Sequence, residues 1–405
     1  MIKKLWNKNF ILLLQANGVS TLGDLMYSVA IGFWVYEQTG SNALMGIMSS
    51  ISMFVTMILS PFSGSIVDRS DRKWMLIIGD AFQGLLMLTI GVLAYMGKLS
   101  VPGVLIAAFL AALGGVFYSP AANTALIDII PRDEIVRGQS LFSGVNSAIN
   151  MVGTAFSGVV VAFFGVPLII IINGISNIYS AISEMFVSIP KNAGQGEAVS
   201  VKGVLTDSKT ALKTIISDSS LRIFVPCALI INFLAAGQFS LMLPFTIEKG
   251  FELEQYGLLM SVTTVASLAC VILLGTVKFK PKARFWMMAI GFTSAEVFMI
   301  LAYHCTEFIP MCIMLFIGSF LNCAGNTIFN ASLMLALPES NRGGILGLIS
   351  SASVGGTALS SIAYGFLGEF FPLYIVFTAG TALSLAPMLY MCFNRKVKDF
   401  ITENT

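Results

Sequence analysis

Gly64-Ser-Ile-Val-Asp-Arg-Ser-Asp-Arg-Lys73 sets five charges in six residues, from Asp68 to Lys73, between two apolar stretches that are each long enough to cross a bilayer. A polar segment this short turns the chain from one helix into the next at a membrane surface, and its basic residues assign that surface to the cytoplasm. Gly64, which has no side chain, lets a second helix come close. Asp68 is suited to accept hydrogen bonds from the free N–H groups at a neighbouring helix N-terminus, where the macrodipole also favours an anion.

The rest of the 405-residue chain has the composition that such a turn requires. Hydrophobic residues make up 56% and charged residues 11%, against about 25% charged in soluble domains, so the chain reads as an all-α membrane protein. With about 20 apolar residues per span, twelve spans are expected, at about 10 to 36, 42 to 66, 74 to 96, 102 to 126, 138 to 163, 167 to 188, 223 to 247, 255 to 277, 285 to 303, 308 to 335, 343 to 367 and 372 to 393. If both termini are cytoplasmic, 21 of the 23 lysines and arginines lie inside and only Lys98 and Lys249 lie outside. A wrong span count would scramble that asymmetry. Lys3, Lys4 and Lys8 ahead of an apolar run resemble a signal peptide, but the run continues past Asp24 to Tyr36 and reads as a retained first span. The net charge of +2 gives no reason to expect nucleic acid as a partner.

One long polar stretch, residues 190 to 220, divides the spans six and six. The expected organisation is an N-terminal bundle over 1–189, a cytoplasmic linker over 190–222 and a C-terminal bundle over 223–405. Within the linker, Val201 to Ile216 fits either an amphipathic surface helix or a flexible tether. The halves repeat weakly. Tyr256-Gly-Leu-Leu-Met-Ser matches Met45-Gly-Ile-Met-Ser-Ser at an offset of 211, and Pro338 with Arg342-Gly-Gly-Ile-Leu matches Pro131 with Arg137-Gly-Gln-Ser-Leu at offsets of 207 and 205. Parallel six-span repeats are a transporter arrangement, with substrate bound near the midplane.

Asn17, Thr21, Asp24 and Ser28 recur at i, i+4, i+7 and i+11 in the first span, a stripe about 60° wide at 100° per residue. Such a stripe faces a cavity or another helix, because facing lipid is costly. Asp24 is therefore the first candidate for proton coupling or for pairing with a cationic substrate. Glu296, midway along the ninth span, is the second, with a paired or lipid-interface role equally open. Glu184 lies close enough to a helix end to reach headgroups or water, and Asp80 and Asp128 read as cap or gate residues near the cytoplasmic surface. Asn322, Asn326 and Asn330 form an i, i+4, i+8 row with donors and acceptors on one face. Tyr118, Asn123, Asn232 and Gln238 are further polar candidates for a substrate cavity. Serine-rich stripes on the fifth span, including Ser143, Asn146 and Asn150, and on the eleventh, including Ser360 and Ser361, suit a sliding interface between helices.

The Gly64 to Lys73 motif resembles the signature between the second and third helices of major facilitator superfamily transporters. Gly23-Asp24, Tyr36-Glu-Gln-Thr-Gly-Ser, Phe117-Tyr-Ser-Pro-Ala and Pro131-Arg-Asp-Glu are similar to the macrolide-efflux branch of bacterial drug exporters. The resemblance implies the major facilitator fold of two six-helix bundles, with helices one, four, seven and ten around a central cavity and Asp24 near its middle. It also implies a gate in which Gly64, Asp68, Arg69, Arg72 and Lys73 act with the start of the eleventh helix at Gly343. Two departures stand out. The corresponding loop of the second half, Gly275 to Arg284, has no aspartate, and the fifth helix lacks the Gly-Pro pair of the antiporter signature.

The expected function is export of bulky amphipathic drugs, such as macrolide-like antibiotics, across the cell membrane by proton antiport. The partners are a small-molecule substrate, protons and membrane lipid, and the working unit is a monomer. Alternatives are export of a siderophore or other native metabolite, lysolipid flipping, or a non-transporting partner of a resistance ATPase. No metal or cofactor is expected. An enzyme is not, since no nucleophile, base and orienting group can be assembled from this sequence. Gly91 to Leu99 only superficially suggests a phosphate cradle: its spacing is one residue too long and no Ser or Thr follows the lysine.

Overall fold

A computed structural model describes residues 5–131, 134–189, 201–218, 221–276, 281–336 and 342–394. The regular elements among them are α-helices: α1 (Lys8–Thr39), α2 (Asn42–Arg69), α3 (Arg72–Tyr95), α4 (Val101–Ile129), α5 (Ile135–Phe164), α6 (Val166–Met185), α7 (Val201–Ser217), α8 (Leu221–Ser240), α9 (Met242–Glu248), α10 (Leu253–Thr276), α11 (Pro281–His304), α12 (Phe308–Ala336), α13 (Arg342–Phe370) and α14 (Leu373–Phe393). Eleven of these are long and apolar enough to cross a membrane. The bent pair Arg137–Thr154 and Phe156–Phe164, meeting at 52° within α5, makes twelve. A helix satisfies its own backbone hydrogen bonds, which lipid cannot do for it.

The helix ends follow from local chemistry. The Asn7 side chain accepts from Phe10 N–H at 2.9 Å to start α1, Asp71 accepts from the N–H groups of Lys73 and Trp74 to start α3, and Ser100 accepts from Gly103 to start α4. Gly40 ends α1 with φ of 60°, a left-handed geometry that glycine adopts without strain.

Two expectations are refined by the structure. The seventh span is broken at Leu241 into α8 and α9 rather than continuous. Pro244 is the physical reason: it has no N–H to donate to the Ser240 carbonyl, and its ring crowds that carbonyl. In the linker, Val201–Ser217 is helical. Ala211 and Ile215 are buried in one apolar cluster with Leu221, Phe224 and Ile345.

By contacts the chain divides into two units, Met1–Gly40 with Ile51–Ser200, and Ser41–Ser50 with Val201–Thr405. The start of α2 thus goes with the second unit. There Asn42 Nδ2 donates to the Gly368 carbonyl at 2.9 Å, Ser50 Oγ donates to the Ala358 carbonyl at 2.8 Å, and Glu369 Oε1 accepts from Ser41 Oγ and from Ala43 N–H. Each unit has its own core, one around Phe10, Leu13, Leu76 and Leu126, the other around Phe224, Phe285, Ile345 and Met388.

The helix pairings repeat. In the first unit α1 packs on α5 and α6, and α3 packs on α4 and α6; in the second, α8 packs on α13 and α14, and α11 packs on α12 and α14. These are the same four pairings six spans apart.

Candidate functional site: two carboxylate-bearing cavities

The first unit holds a cavity of about 440 Å³ lined by α1, α3, α4, α5 and α6. Asn17, Thr21 and Asp24 of the first-span stripe line it, together with Tyr118 and Asn123 of α4. Ser28 is not brought there: it is exposed, and its hydroxyl donates to the Leu25 carbonyl of its own helix at 2.7 Å. Ser143, Asn146 and Asn150 of α5 also face this cavity.

Asp24 is half-buried, and its Oδ1 accepts from Asn177 Nδ2 at 3.4 Å. Asn177 Nδ2 also donates to Asn173 Oδ1 at 2.9 Å, so α6 presents an amide pair to the acid. Gly23 makes this approach possible. A Cβ there would lie 2.6 Å from Asn173 Oδ1 and 3.3 Å from the Asn173 Cα, with Ser176 Oγ closer still.

Two further acids lie behind Asp24. Asp80 of α3 lines the same cavity and is 5% exposed, and Glu184 of α6 is 1% exposed. Glu184 Oε1 accepts from the Tyr118 hydroxyl at 3.0 Å. This corrects the expectation that Glu184 reaches headgroups or water, and it sets Asp80, expected as a cap or gate residue near the surface, in the cavity wall. Proximity to a helix end does not expose a side chain whose face of the helix is packed, and α6 turns this face into the bundle against α1 and α3. Asp80 and Glu184 each keep one buried oxygen, Oδ2 and Oε2, without a close hydrogen-bond partner among the described residues, with Ser180 beside Asp80 and Asn17 beside Tyr118. The ion pairs among the described residues, Arg72 with Asp128 and Arg137 with Glu134, involve none of the three acids.

The second unit holds a cavity of about 310 Å³ between α8, α9, α10, α11, α12 and α14, beside the helix break. Glu296 lines it, with Gln238, Asn322, Ser319, Ser384 and Tyr303 as its polar neighbours and Met242, Met260, Met299, Leu315 and Phe239 as its apolar ones. The Tyr303 hydroxyl donates to Gln238 Oε1 at 2.8 Å, and Gln238 Nε2 donates to Thr381 Oγ1 at 3.0 Å. Of the remaining polar candidates, Asn326 Nδ2 donates to Asn322 Oδ1 at 2.8 Å, Asn232 is exposed and donates to the Ala228 carbonyl of its own helix, and Asn330 is exposed. Ser360 and Ser361, expected on a sliding face, are fully buried against α8, Ser360 accepting from Gly237 N–H and Ser361 bonded to Ser240. Among the described residues no three of His, Cys, Asp and Glu are grouped as metal ligands.

A profile of the Major Facilitator Superfamily matches residues 13–304, most of the chain. The chain belongs to the major facilitator superfamily. Within it, this transporter is 24% identical over 186 residues to macrolide efflux protein A of Streptococcus pyogenes, covering 46% of each chain. It is 29% identical over 160 residues to the multidrug efflux pump Tap of Mycobacterium bovis, covering 38% of each. The match thus spans about half or less of the length of these relatives. The solved structure of a bacterial homolog to the human lysosomal transporter Spinster is similar over 98% of both chains, with a TM-score of 0.71 and 14% identity, a likeness of fold.

In this superfamily member the motif of the opening stretch is only partly described. The side chains of Gly64, Asp68, Arg69 and Gly343 lie outside the described residues, so the expected gate contact does too. Arg72 and Lys73 act locally: Arg72 pairs with Asp128 at the end of α4, and Lys73 Nζ donates to the Met185 carbonyl at the end of α6, at 2.7 Å. Both tie the start of α3 to its own unit, and the lysine also complements the negative end of the α6 dipole.

Proposed function

We propose that this transporter is a secondary exporter of the cell membrane that expels bulky amphipathic drugs, macrolide-like antibiotics among them, in exchange for protons. It works as a monomer by alternating access, with both termini in the cytoplasm. The observation that carries this reading is the set of carboxylates in the first unit, which no cation pairs with among the described residues, with Asp24 on the cavity wall and Asp80 and Glu184 more deeply buried. Acids crowded in a low-dielectric interior without a cation cannot all hold charge cheaply, which suits them to take up and release protons. The relatives named as macrolide and multidrug efflux proteins support the choice of substrate.

The test is export by the purified chain in proteoliposomes under an imposed pH gradient, followed with a radiolabelled macrolide. Wild-type export follows the gradient and collapses when a protonophore is added. Asp24→Asn lowers gradient-driven export by roughly 5- to 150-fold, the usual span of a coupling free energy, while the variant still assembles. Undiminished export by that variant with the same pH dependence would remove Asp24 from coupling. Export that requires an added ATPase would replace the exporter by an accessory subunit.

A further inference from the structure

The second cavity differs from the first in a way that points to its occupant. Glu296 is the sole carboxylate among its described lining residues, and the walls beside it are methionine and aromatic: Met242, Met260 and Met299 with Phe239 and Tyr303. No lysine, arginine or histidine pairs with Glu296 among the described residues. Of the neighbouring polar groups, Tyr303 is engaged with Gln238 and Gln238 with Thr381, while Ser384, which donates to the Thr381 carbonyl at 2.7 Å, also lies within hydrogen-bonding reach of Glu296 and offers it a neutral partner that leaves its charge unmatched. An acid held in an apolar pocket is stabilised by an opposite charge that arrives with its own apolar body. Methionine thioethers are polarizable and adopt many rotamers, so they fit ligands of varied outline, and aromatic faces attract cations. The volume, about 310 Å³, lies at the small end of ligand pockets, enough for the charged end of a drug and the rings next to it.

We propose that this pocket, contained within the second unit, is a binding site for lipophilic monovalent organic cations, with Glu296 pairing with the positive centre. It sharpens the export reading above, on which it rests for its biological meaning, by naming the substrate class as amphipathic amines and their permanently charged analogues. It also assigns the two acids different work: Asp24 and its neighbours hold protons, and Glu296 holds the cationic group.

The experiment measures equilibrium binding of tetraphenylphosphonium to the purified chain, with triphenylphosphine oxide as a neutral compound of similar bulk. Glu296→Gln weakens phosphonium binding by about thirtyfold, as truncation of one member of a desolvated charge pair does, and leaves the neutral compound unchanged. Met260→Ala and Met299→Ala weaken both ligands by severalfold. Equal affinity of wild type and Glu296→Gln for the phosphonium, or an equal loss for the neutral compound, would overturn the site. Should Glu296→Gln fail to fold, the wild-type chain decides: dicyclohexylcarbodiimide labels carboxyl groups in apolar surroundings, and phosphonium should protect Glu296 but not Asp24. Labelling of Glu296 that the cation does not change would overturn the site equally. Cation binding through Glu296 without any export would leave the site standing and remove the export reading; drug export indifferent to Glu296 would do the reverse.

Discussion

The cavities of the two units are built on one set of helix pairings and filled with different chemistry. Where α1 meets α6 in the first unit, Gly23 admits Asn173 and Ser176, and the crossing carries amides and an acid. In the second unit, at the corresponding α8–α14 crossing, Gly380 faces the amide of Gln238, which accepts from the phenol of Tyr303, and the Tyr364 ring of α13 is seated between Gly237 of α8 and Gly380 of α14. Glycines in the two bundles therefore serve opposite ends. In one unit they bring polar side chains together around three carboxylates, and in the other they seat aromatics beside one. The helix pairings are shared, held by close packing, while the contents of the two cavities differ.

The strongest way to break this comparison is to fill the crossings. Gly23→Leu puts side-chain atoms into the α6 backbone at Asn173, and overpacking of this kind costs about 1–3 kcal/mol. The variant should melt well below wild type in detergent and lose gradient-driven export, yet the fraction that remains folded should still bind tetraphenylphosphonium. Gly380→Leu meets Tyr364 and Gln238, so it should lose phosphonium binding while keeping proton exchange. If either substitution abolishes both activities in folded protein, the two sites are not separable and the division of labour fails.

A smaller effect separates the acids by their neighbours. Asp80 is surrounded by Asp24 of α1, Tyr118 of α4 and Glu184 and Ser180 of α6, with no basic residue among them. Asp80→Asn removes a buried acid that faces other acids and that no cation pairs with among the described residues, and an uncompensated buried charge is destabilising, so the melting temperature in detergent should rise. Glu296→Gln should raise it less, since no second carboxylate stands beside Glu296 among the described lining residues. Thermal melts of the wild type and both variants decide the matter; a larger gain for Glu296→Gln would mean that the crowding of acids in the first unit is not what burdens the fold.

The span count and three of the four residues of the first-span stripe, Asn17, Thr21 and Asp24, were legible because hydropathy and helical periodicity are local properties of sequence. The same periodicity ran through α6 as well: Asn173, Asn177, Ser180 and Glu184 repeat the i, i+4, i+7, i+11 spacing of Asn17, Thr21, Asp24 and Ser28. Read with that rule, Glu184 belongs to an inward-facing stripe, and its nearness to a helix end says little about exposure. The break at Leu241 was also readable, from Pro244 four residues after Ser240. What the sequence does not carry is which stripe meets which. That Asn177 reaches Asp24, 153 residues away, or that Gln238 reaches Tyr303, depends on helix packing that no local pattern encodes.

The finest test concerns that last pair. Tyr303→Phe removes the hydroxyl that donates to Gln238 Oε1 at 2.8 Å while keeping the ring against Phe245 and Phe377. Gln238 keeps its bond to Thr381, so only one hydrogen bond of about 1 kcal/mol is lost. If Tyr303 only orients Gln238 on the wall of the second cavity, phosphonium affinity falls by a few-fold at most, and the pH dependence of export, which the proposed division of labour gives to the first unit, does not move. A shift of that pH profile in Tyr303→Phe would show the second cavity taking part in proton exchange, and Glu296 would then join Asp24 as a proton carrier instead of standing apart from it as the cation's partner.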